Sequence, residues 1–577
     1  MLSLLKKRWC LADTSPEVAV ALARELGLPV AVAVLLINRG VTTAEEAAFF
    51  LDADLAKLHD PFLMAGMDKA VERVICAIES GESITVFCDY DVDGVTSAAF
   101  LTHFFRDLHC PVTAYLPERK AEGYGLNSDA VRKIREQGAS LMITADCGIT
   151  GVKEVALANE LGLDVIITDH HQVGEEGLPQ AIAVLNPHRE ECDYPYRFLS
   201  GVGLAFKLAI GIRNGLHTAG RSKEDLPNLK RHLDLFALGT IADVAPLTGE
   251  NHILTRHGLD VLSISAKPGL VALKEVAGIA GNVDARAVGF GLGPRLNAAG
   301  RLGKADCGLH LLTATDLATA KVLAQELEKT NQERKEIQEE TFIEAESLIR
   351  NERDLTVERV IVLASEIFHP GVIGIAASKI VDKYHRPTVL IALEGGTGKG
   401  SGRSIPRFNL FKAFTNCSSH LTQFGGHAYA AGLSMEEGSV EGFRNAINEV
   451  GHKFLTEEDL IPDVKLDTAL ELSQIDFTFY KNISLLEPFG AENPVPSFVS
   501  RNVKLRELKY IGKEKNHVRF RAVQGKGKIE VVAFNFASVL ESVDTANENF
   551  DIAYELHLNI WNGREKLELR LLDLRVA

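Results

Sequence analysis

Between Val86 and Ala99 the chain reads VFCDYDVDGVTSAA. Asp89, Asp91 and Asp93 stand at alternate positions after an apolar run, and Gly94 opens an expected helix. Three carboxylates held this close repel one another unless a cation lies among them. Their hard oxygens suit a divalent ion. The competing reading is an acidic, solvated loop. Three further segments repeat the pattern: Asp146 follows LMITA, Asp169-His170-His171 follow DVIIT, and Asp243 closes KRHLDLFALGTIADV. A single acid at a strand end is usually a turn or cap residue. Four segments that each end in an acid or an imidazole together argue for a metal centre.

The elements that must position these groups are legible as alternation. From Ile84 to about Asp243 the apolar runs ITVFC, VTAYL, LMITA, DVIIT and IAVL are separated by helical stretches such as TSAAFLTHFFRDL and VKEVALANELG. That alternation predicts a mostly parallel α/β sheet, whose ligands gather at the carboxyl ends of the strands. Residues 1 to about 50 carry helical periodicity, and a helix is expected over Met67–Ile78. A long polar stretch without Gly or Pro, from about Asp316 to Asn351, predicts a solvent-bridging helix between domains. A second α/β domain follows from about Val357 to Thr456, with VIVLAS and TVLIALEG as strands.

Three segments carry anion-binding chemistry. Arg295, Asn297 and Arg301 in GPRLNAAGRL are donors on a Gly- and Ala-lined segment, suited to phosphate oxygens; loop residues capping a helix are the alternative. Ser401, Arg403 and Ser404 in GTGKGSGRS are directed at an anion. FGGHAYAAG supplies Gly425, Gly426 and His427 and is expected to open a helix of small residues, whose N-terminus attracts phosphate. A close-packed helix pair would also want these small residues. The acids and these donors are expected to face each other across a cleft between the two α/β domains.

After a Pro-rich passage near residue 490, five short β runs suggest an OB-like barrel. The whole chain of 577 residues has a net charge of −16, unlike most nucleic-acid binders, yet the stretch from Arg501 to Lys528 holds ten Lys and Arg against two Glu. Tyr510, Phe520, Phe534 and Trp561 are candidates for stacking bases there. A basic face that merely keeps a sheet soluble is the alternative. Hydrophobic content of 46% and charged content of 24% are those of a globular protein of several domains. No apolar run reaches the roughly 20 residues of a membrane span, and no signal peptide is recognisable. Eight scattered cysteines without a CxxC pair argue for a reducing cytoplasm and against structural zinc.

DYDVDG, ADCG, TDHH and GTIADV, in this order, resemble the four motifs of the DHH phosphoesterase superfamily, and FGLGPRLNAAGRL, HPGVIGIAASKI, GSGRSI and FGGHAYAAG resemble its DHHA1 domain. The resemblance implies two parallel-type α/β domains joined by a long helix, plus a C-terminal OB-like β-barrel. The expected division is an N-terminal helical segment (1–50), a DHH catalytic domain (51–315), a connecting helix (316–352), a DHHA1 substrate-binding domain (353–458) and an OB-like domain (459–577). Carried over residue by residue, it implies that Asp91, Asp93, Asp146, His170 and Asp243 bind two divalent metal ions, Mn²⁺ preferred and Mg²⁺ accepted. It gives Asp89 a supporting, water-positioning role and His171 a contact to the scissile phosphate. Arg295, Asn297, Arg301, Ser401, Arg403, Gly425, Gly426 and His427 become substrate contacts. Phe87 occupies the place where smaller relatives carry a histidine, which implies a first metal site that is more open or more weakly held. The implied activity is a cytoplasmic 5′-to-3′ exonuclease on single-stranded DNA, acting in repair and recombination and releasing mononucleotides. A helicase and a single-strand-binding protein are the implied partners, and no membrane is. The rivals are a DHH phosphoesterase of small nucleotides and a catalytically inert single-strand-binding protein. The basic barrel argues against the first, and the intact acid set against the second.

Overall fold

Short apolar strands buried on both faces are what a parallel sheet covered by helices requires. The computed structural model describes residues 2–117, 125–174, 176–302, 306–561 and 563–577, with nothing defined for the side chain of Trp561. The chain forms two compact units, Arg39–Asn331 with Ser484–Val495, and Met1–Asn38 with Gln332–Ile483 and Pro496–Ala577.

In the first of these units the described strands form a parallel sheet in the order Val112–Tyr115, Ile84–Cys88, Leu141–Ala145, Asp164–Thr168, Ala183–Leu185. Ile84–Cys88 and Leu141–Ala145 are buried at every position, as continuous apolar strands should be. The helix Val92–Asp107 follows the first acids and is buried along nearly its whole length. It packs on the helices Gly201–Thr218 and Leu233–Ala242. Phe100 lies 5.4 Å from Phe206 between ring centroids, and Phe206 lies 5.8 Å from Phe236, so aromatic volume fills this layer. The helix expected from Met67 extends to Ser80.

The second unit holds a mixed sheet and a barrel. The sheet runs Gln423–Gly426, Ala430–Glu436, Thr397–Arg403, Thr388–Glu394, Ile361–Ser365. Only its last pairing is parallel; the other three are antiparallel. The α/β architecture is therefore present, but the parallel-type sheet expected here is replaced by a mixed one. The physical reason is the short connections: a two-residue gap between Glu394 and Thr397 can join only antiparallel strands.

The barrel strands Ser497–Ile511, His517–Gln524, Gly527–Ala533, Arg564–Val576 and Phe550–Trp561 pair in that order, and the last pairs back with the first. Closure removes the sheet edges. Val518, Phe520 and Ala522 all point inward and are at most 1% exposed. Phe520 therefore belongs to the barrel core and stacks no base, because it shares the inward parity of Val518. Tyr510 and Phe534 are exposed. Trp561 lies outside the described side chains.

The N-terminus is not helical throughout. Arg8–Leu11 forms a parallel pair with Asp463–Leu466, anchored by an ion pair of 2.7 Å between Arg8 and Asp463. Four residues are too few for a periodic signal, and the partner lies more than 400 positions away. The helix Leu317–Glu352 is continuous over 36 residues. Among the described residues no single helix is long and apolar enough to cross a membrane, and the apolar helices Pro16–Leu26 and Val30–Asn38 are bent by 112° to each other.

Candidate metal centre and phosphate-binding residues

Each acid of the first unit is placed by backbone. Asp91 caps the helix Val92–Asp107: its Oδ1 accepts from the N–H of Asp93 at 2.9 Å and of Gly94 at 3.1 Å. The Asp93 carboxylate accepts from the N–H of Gly201 at 2.5 Å and of Val202 at 2.9 Å. These belong to the first turn of Gly201–Thr218, where an anion is favoured. Asp146 follows its strand with φ of +65°, a left-handed backbone that turns it out of the sheet. Asp243 is the C-cap of Leu233–Ala242. The next residue, Val244, has φ of +60°, where a β-branched side chain is strained. Strain of this kind persists only where the surroundings fix it, and it gathers at functional sites.

These elements converge. His170 Nε2 lies 3.0 Å from Asp146 Oδ1, 3.9 Å from Asp243 Oδ2 and 4.0 Å from Asp93 Oδ2. One ligand atom each from Asp93, His170 and Asp243 fall within 4.8 Å of one another, as do those of Asp89, Asp91 and Asp146. The structure thus groups all five expected ligands and adds Asp89 to the same cluster. Phe87 is fully buried, stacked 5.7 Å from Tyr115.

The electrostatics fit a cation site. Burial, reinforced by the charge of Asp91, raises the Asp93 carboxyl to about 7 against the pull of two N–H donors. Burial and the charge of Asp93 raise Asp243 to about 9, and burial with four neighbouring carboxylates raises Asp146 well above the usual range. Burial and the charge on His171 push His170 down to about 4, so its ring is a neutral donor. Its buried Nε2 and Asp146 Oδ1 make no hydrogen bond despite their proximity. Mutually repelling oxygens around a neutral imidazole nitrogen are the donor set of a Mn²⁺- or Mg²⁺-type ion.

His171 is the opposite case. Its Nδ1 lies 2.7 Å from Asp169 Oδ1, and its backbone N–H donates to the same oxygen at 3.0 Å. Burial opposes its charge, but the hydrogen bond and charge of Asp169 prevail and raise it to about 9. Asp169 is itself fixed by the N–H of Ile149 at 2.9 Å. Two adjacent histidines are so divided into a neutral ligand type and a cation.

The segment GPRLNAAGRL is helical, Gly293–Leu302, after a π-helical turn at Val288–Leu292. Asn297 Oδ1 accepts from the N–H of Val92 at 3.2 Å, so this helix braces the first acid loop. Arg295 is engaged within its unit, with Glu328 at 2.5 Å and the carbonyl of Gly291 at 2.7 Å. Arg301 lies half-buried in the last turn.

In the other unit, Arg403 donates to Ser401 Oγ at 3.0 Å and to the carbonyl of Gly402 at 2.8 Å, and among the described residues no carboxylate pairs with it. Burial lowers its affinity for a proton. A Cβ on Gly374 would stand 2.7 Å from the guanidinium and 3.0 Å from Ser401 Oγ, so both side chains lie against the first turn of the helix Ile373–Tyr384. A guanidinium against a helix N-terminus is a donor arrangement of the kind that attracts anions. Ser404 Oγ instead donates to the carbonyl of Phe408 at 2.6 Å. The expected helix after Gly425-Gly426-His427 is not formed. FGGHAYAAG is a β-hairpin in which the N–H of His427 donates to the carbonyl of Ala430 at 2.8 Å. Gly426 has φ of +133°, and a Cβ there would lie 2.5 Å from Ala430 O. The small residues serve this tight turn. Gly425, Gly426 and His427 are exposed on it.

Several positions went unread in the sequence. The N–H groups of Gly201 and Val202 hold Asp93 from more than 100 residues away, and a Cβ on Gly201 would stand 2.5 Å from the Asp146 Cβ. Buried Asn186 donates to the carbonyl of His171 at 2.8 Å and so fixes the histidine pair. The available signals were Ser200-Gly201 as a helix start and a polar residue directly after the strand Ala183–Leu185.

Comparisons with known proteins match the chain domain by domain and nearly end to end. Residues 83–240 match the N-terminal domain of the DHH family, residues 357–453 the DHHA1 domain, and residues 466–573 the RecJ OB domain. The chain is 38% identical over 575 residues to the single-stranded-DNA-specific exonuclease RecJ of Bacillus subtilis (strain 168), covering 99% of this chain and 71% of that protein. The crystal structure of RecJ in complex with Mn²⁺ from Thermus thermophilus superposes with a TM-score of 0.82 at 31% identity, over 98% of this chain and 79% of that one. The Mg²⁺ complex of RecJ from the same organism gives a TM-score of 0.77 at 29% identity, over 98% and 78% of the two chains.

Proposed function

We infer the reaction of this chain from its family, for it belongs to the RecJ single-stranded-DNA-specific exonucleases. It is a metal-dependent hydrolase of phosphodiester bonds in single-stranded DNA. The observation that carries this reading is the convergence of Asp89, Asp91, Asp93, Asp146, His170 and Asp243 on one cluster.

We assign those six residues to two divalent ions. Bound ions supply an activated water and neutralise charge on the phosphate. The rest is the work of the chain. Asp93 is held rigid by the two N–H groups at the helix start. Asp169 keeps His171 protonated and oriented, so its cation faces the charge that develops on the scissile phosphate. Asn297 steadies the Asp91 loop. Arg403 and Ser401 take a phosphate of the strand, with the exposed hairpin of Gly425, Gly426 and His427 beside their strand in the sheet. Arg295 supports the site from within its unit, and Arg301 remains a candidate donor to the strand. The basic barrel face holds the incoming single strand by its backbone, and exposed Tyr510 offers a ring face to its bases, whereas exposed Phe534 already has the Arg570 guanidinium 5.4 Å from its ring centroid.

Family membership is the basis for a 5′-to-3′ direction, for mononucleotide products and for a role in repair and recombination. It is also the basis for a cytoplasmic location, and for a helicase and a single-strand-binding protein as partners. The mixed carboxylate and imidazole donors favour Mn²⁺ over Mg²⁺. The test is a time course on a single-stranded oligonucleotide labelled at the 5′ end in one reaction and the 3′ end in another, with each metal. Immediate release of the 5′ label as mononucleotide, faster with Mn²⁺, is expected. Release of the 3′ label first would reverse the direction, and retardation without cleavage would remove the enzymatic reading.

A further inference from the structure

The helix that ends at Asp243 carries an apolar rim for which the metal centre has no use. The π-helical turn Val288–Leu292 packs on its last residues: a Cβ on Gly289 would stand 3.9 Å from Ile241 Cγ2, and one on Gly293 3.2 Å from Ala242 Cβ. From this turn Phe290 projects 82% exposed. Val244, directly after Asp243, is 69% exposed and strained at φ of +60°. A phenyl ring in water is unfavourable by its full burial energy. π-Turns are rare and cluster at functional sites.

The turn is also braced against collapse. Arg295 donates to the carbonyls of Gly291 and Val276, at 2.7 and 3.3 Å, and pairs with Glu328. A half-buried guanidinium thus fixes the backbone that holds one exposed ring. Rigid display of an aromatic face beside a phosphodiester-cleaving centre fits a nucleobase as occupant, because every base offers a π-face and stacking tolerates sequence.

We propose that Phe290 stacks a base of the single strand and so positions the phosphodiester at the carboxylate cluster. This rests on the nuclease reading above. Arg295 then acts as the positioning residue of the ring.

The test compares wild type, Phe290→Ala and Phe290→Trp on two single-stranded oligonucleotides, one natural and one with abasic residues at its first three positions. On the natural strand Phe290→Ala is expected to lower kcat/KM about tenfold, from the loss of one base stack. Phe290→Trp is expected to restore it. On the abasic strand wild type and Phe290→Ala are expected to be equal, which a merely structural role would not produce. Equal rates of wild type and Phe290→Ala on the natural strand overturn the proposal, and so does an equal loss on both strands. If the wild type leaves the natural strand intact, the nuclease reading itself falls, a result distinct from either.

Discussion

The acid cluster and the basic barrel face are built on opposite physical terms. In the cluster, Asp93 and Asp146 are about 1% exposed, held by backbone donors or a left-handed turn, and repel one another. On the barrel, Lys504, Lys509 and Lys528 are exposed on a closed sheet, and their neighbours Arg521 and Arg519 are paired with Glu507 at 2.6 Å and Glu530 at 3.9 Å. Chemistry needs fixed groups in a low-dielectric site, where each charge counts for much. Holding a strand needs many weak contacts, each screened by salt and individually dispensable. The difference teaches where a single substitution is decisive and where only the sum matters.

The largest expected effect falls on the cluster. Asp146→Ala should reduce cleavage by at least about a thousandfold while leaving strand binding by the barrel intact. Gel retardation beside a cleavage assay measures both, and loss of binding in parallel would break the contrast. Next, Gly201→Ala places a Cβ 2.5 Å from the Asp146 Cβ, and a shift of that ligand should lower Mn²⁺ affinity and rate by about 10–100-fold. Calorimetric metal titration checks it; normal affinity would mean that the cluster tolerates displacement. A smaller effect is expected on the barrel. Lys504→Ala with Lys528→Ala should weaken strand binding a few-fold, irrespective of sequence, and reduce the salt slope by about two. A loss of kcat at saturating strand would deny the division of labour.

The smallest effect concerns pH. His232 and His252, both in the unit with the acids, are pushed down by burial to about 2 and about 4. The fold holds them neutral, whereas the unfolded chain protonates them below about 6.5. Their stabilising share is therefore full above that pH and is lost as pH falls beneath it. Between pH 7 and 5 this unit should lose about 1–2 kcal/mol of stability per histidine, read as a lower melting temperature. In His252→Gln the drop should be shallower, and an unchanged slope would assign acid lability elsewhere.

Much of this was legible because it is written locally. Wholly apolar runs marked buried strands, and acids directly after them marked the ligand end of the sheet, so Asp89, Asp91, Asp93, Asp146, Asp169, His170, His171 and Asp243 stood out before any fold, and the family resemblance chose five ligands among them. Asp89 took its supporting role from the family resemblance, and its nearness to Asp91 and Asp146, which depends on strand pairing, was visible only in the fold. FGGHAYAAG was misread as a helix because Ala and Gly also suit a hairpin, and only the register with Thr397–Arg403 selects it. Phe520 was placed outside because its aromatic type spoke louder than its parity with Val518.

The sequence by itself determined residue chemistry and local periodicity: an α/β catalytic part, a long polar helix, a β-rich basic end, and a set of acids and imidazoles fit for divalent ions. The tertiary structure alone decided what distant segments do to one another. It set N–H groups of residues 201 and 202 against Asp93, divided His170 from His171 into neutral and charged forms, closed the barrel by pairing its first strand with Phe550–Trp561, and left Phe290 standing in solvent. Local pattern follows from side-chain type and spacing, whereas burial, charge coupling and register depend on neighbours that no window of sequence contains.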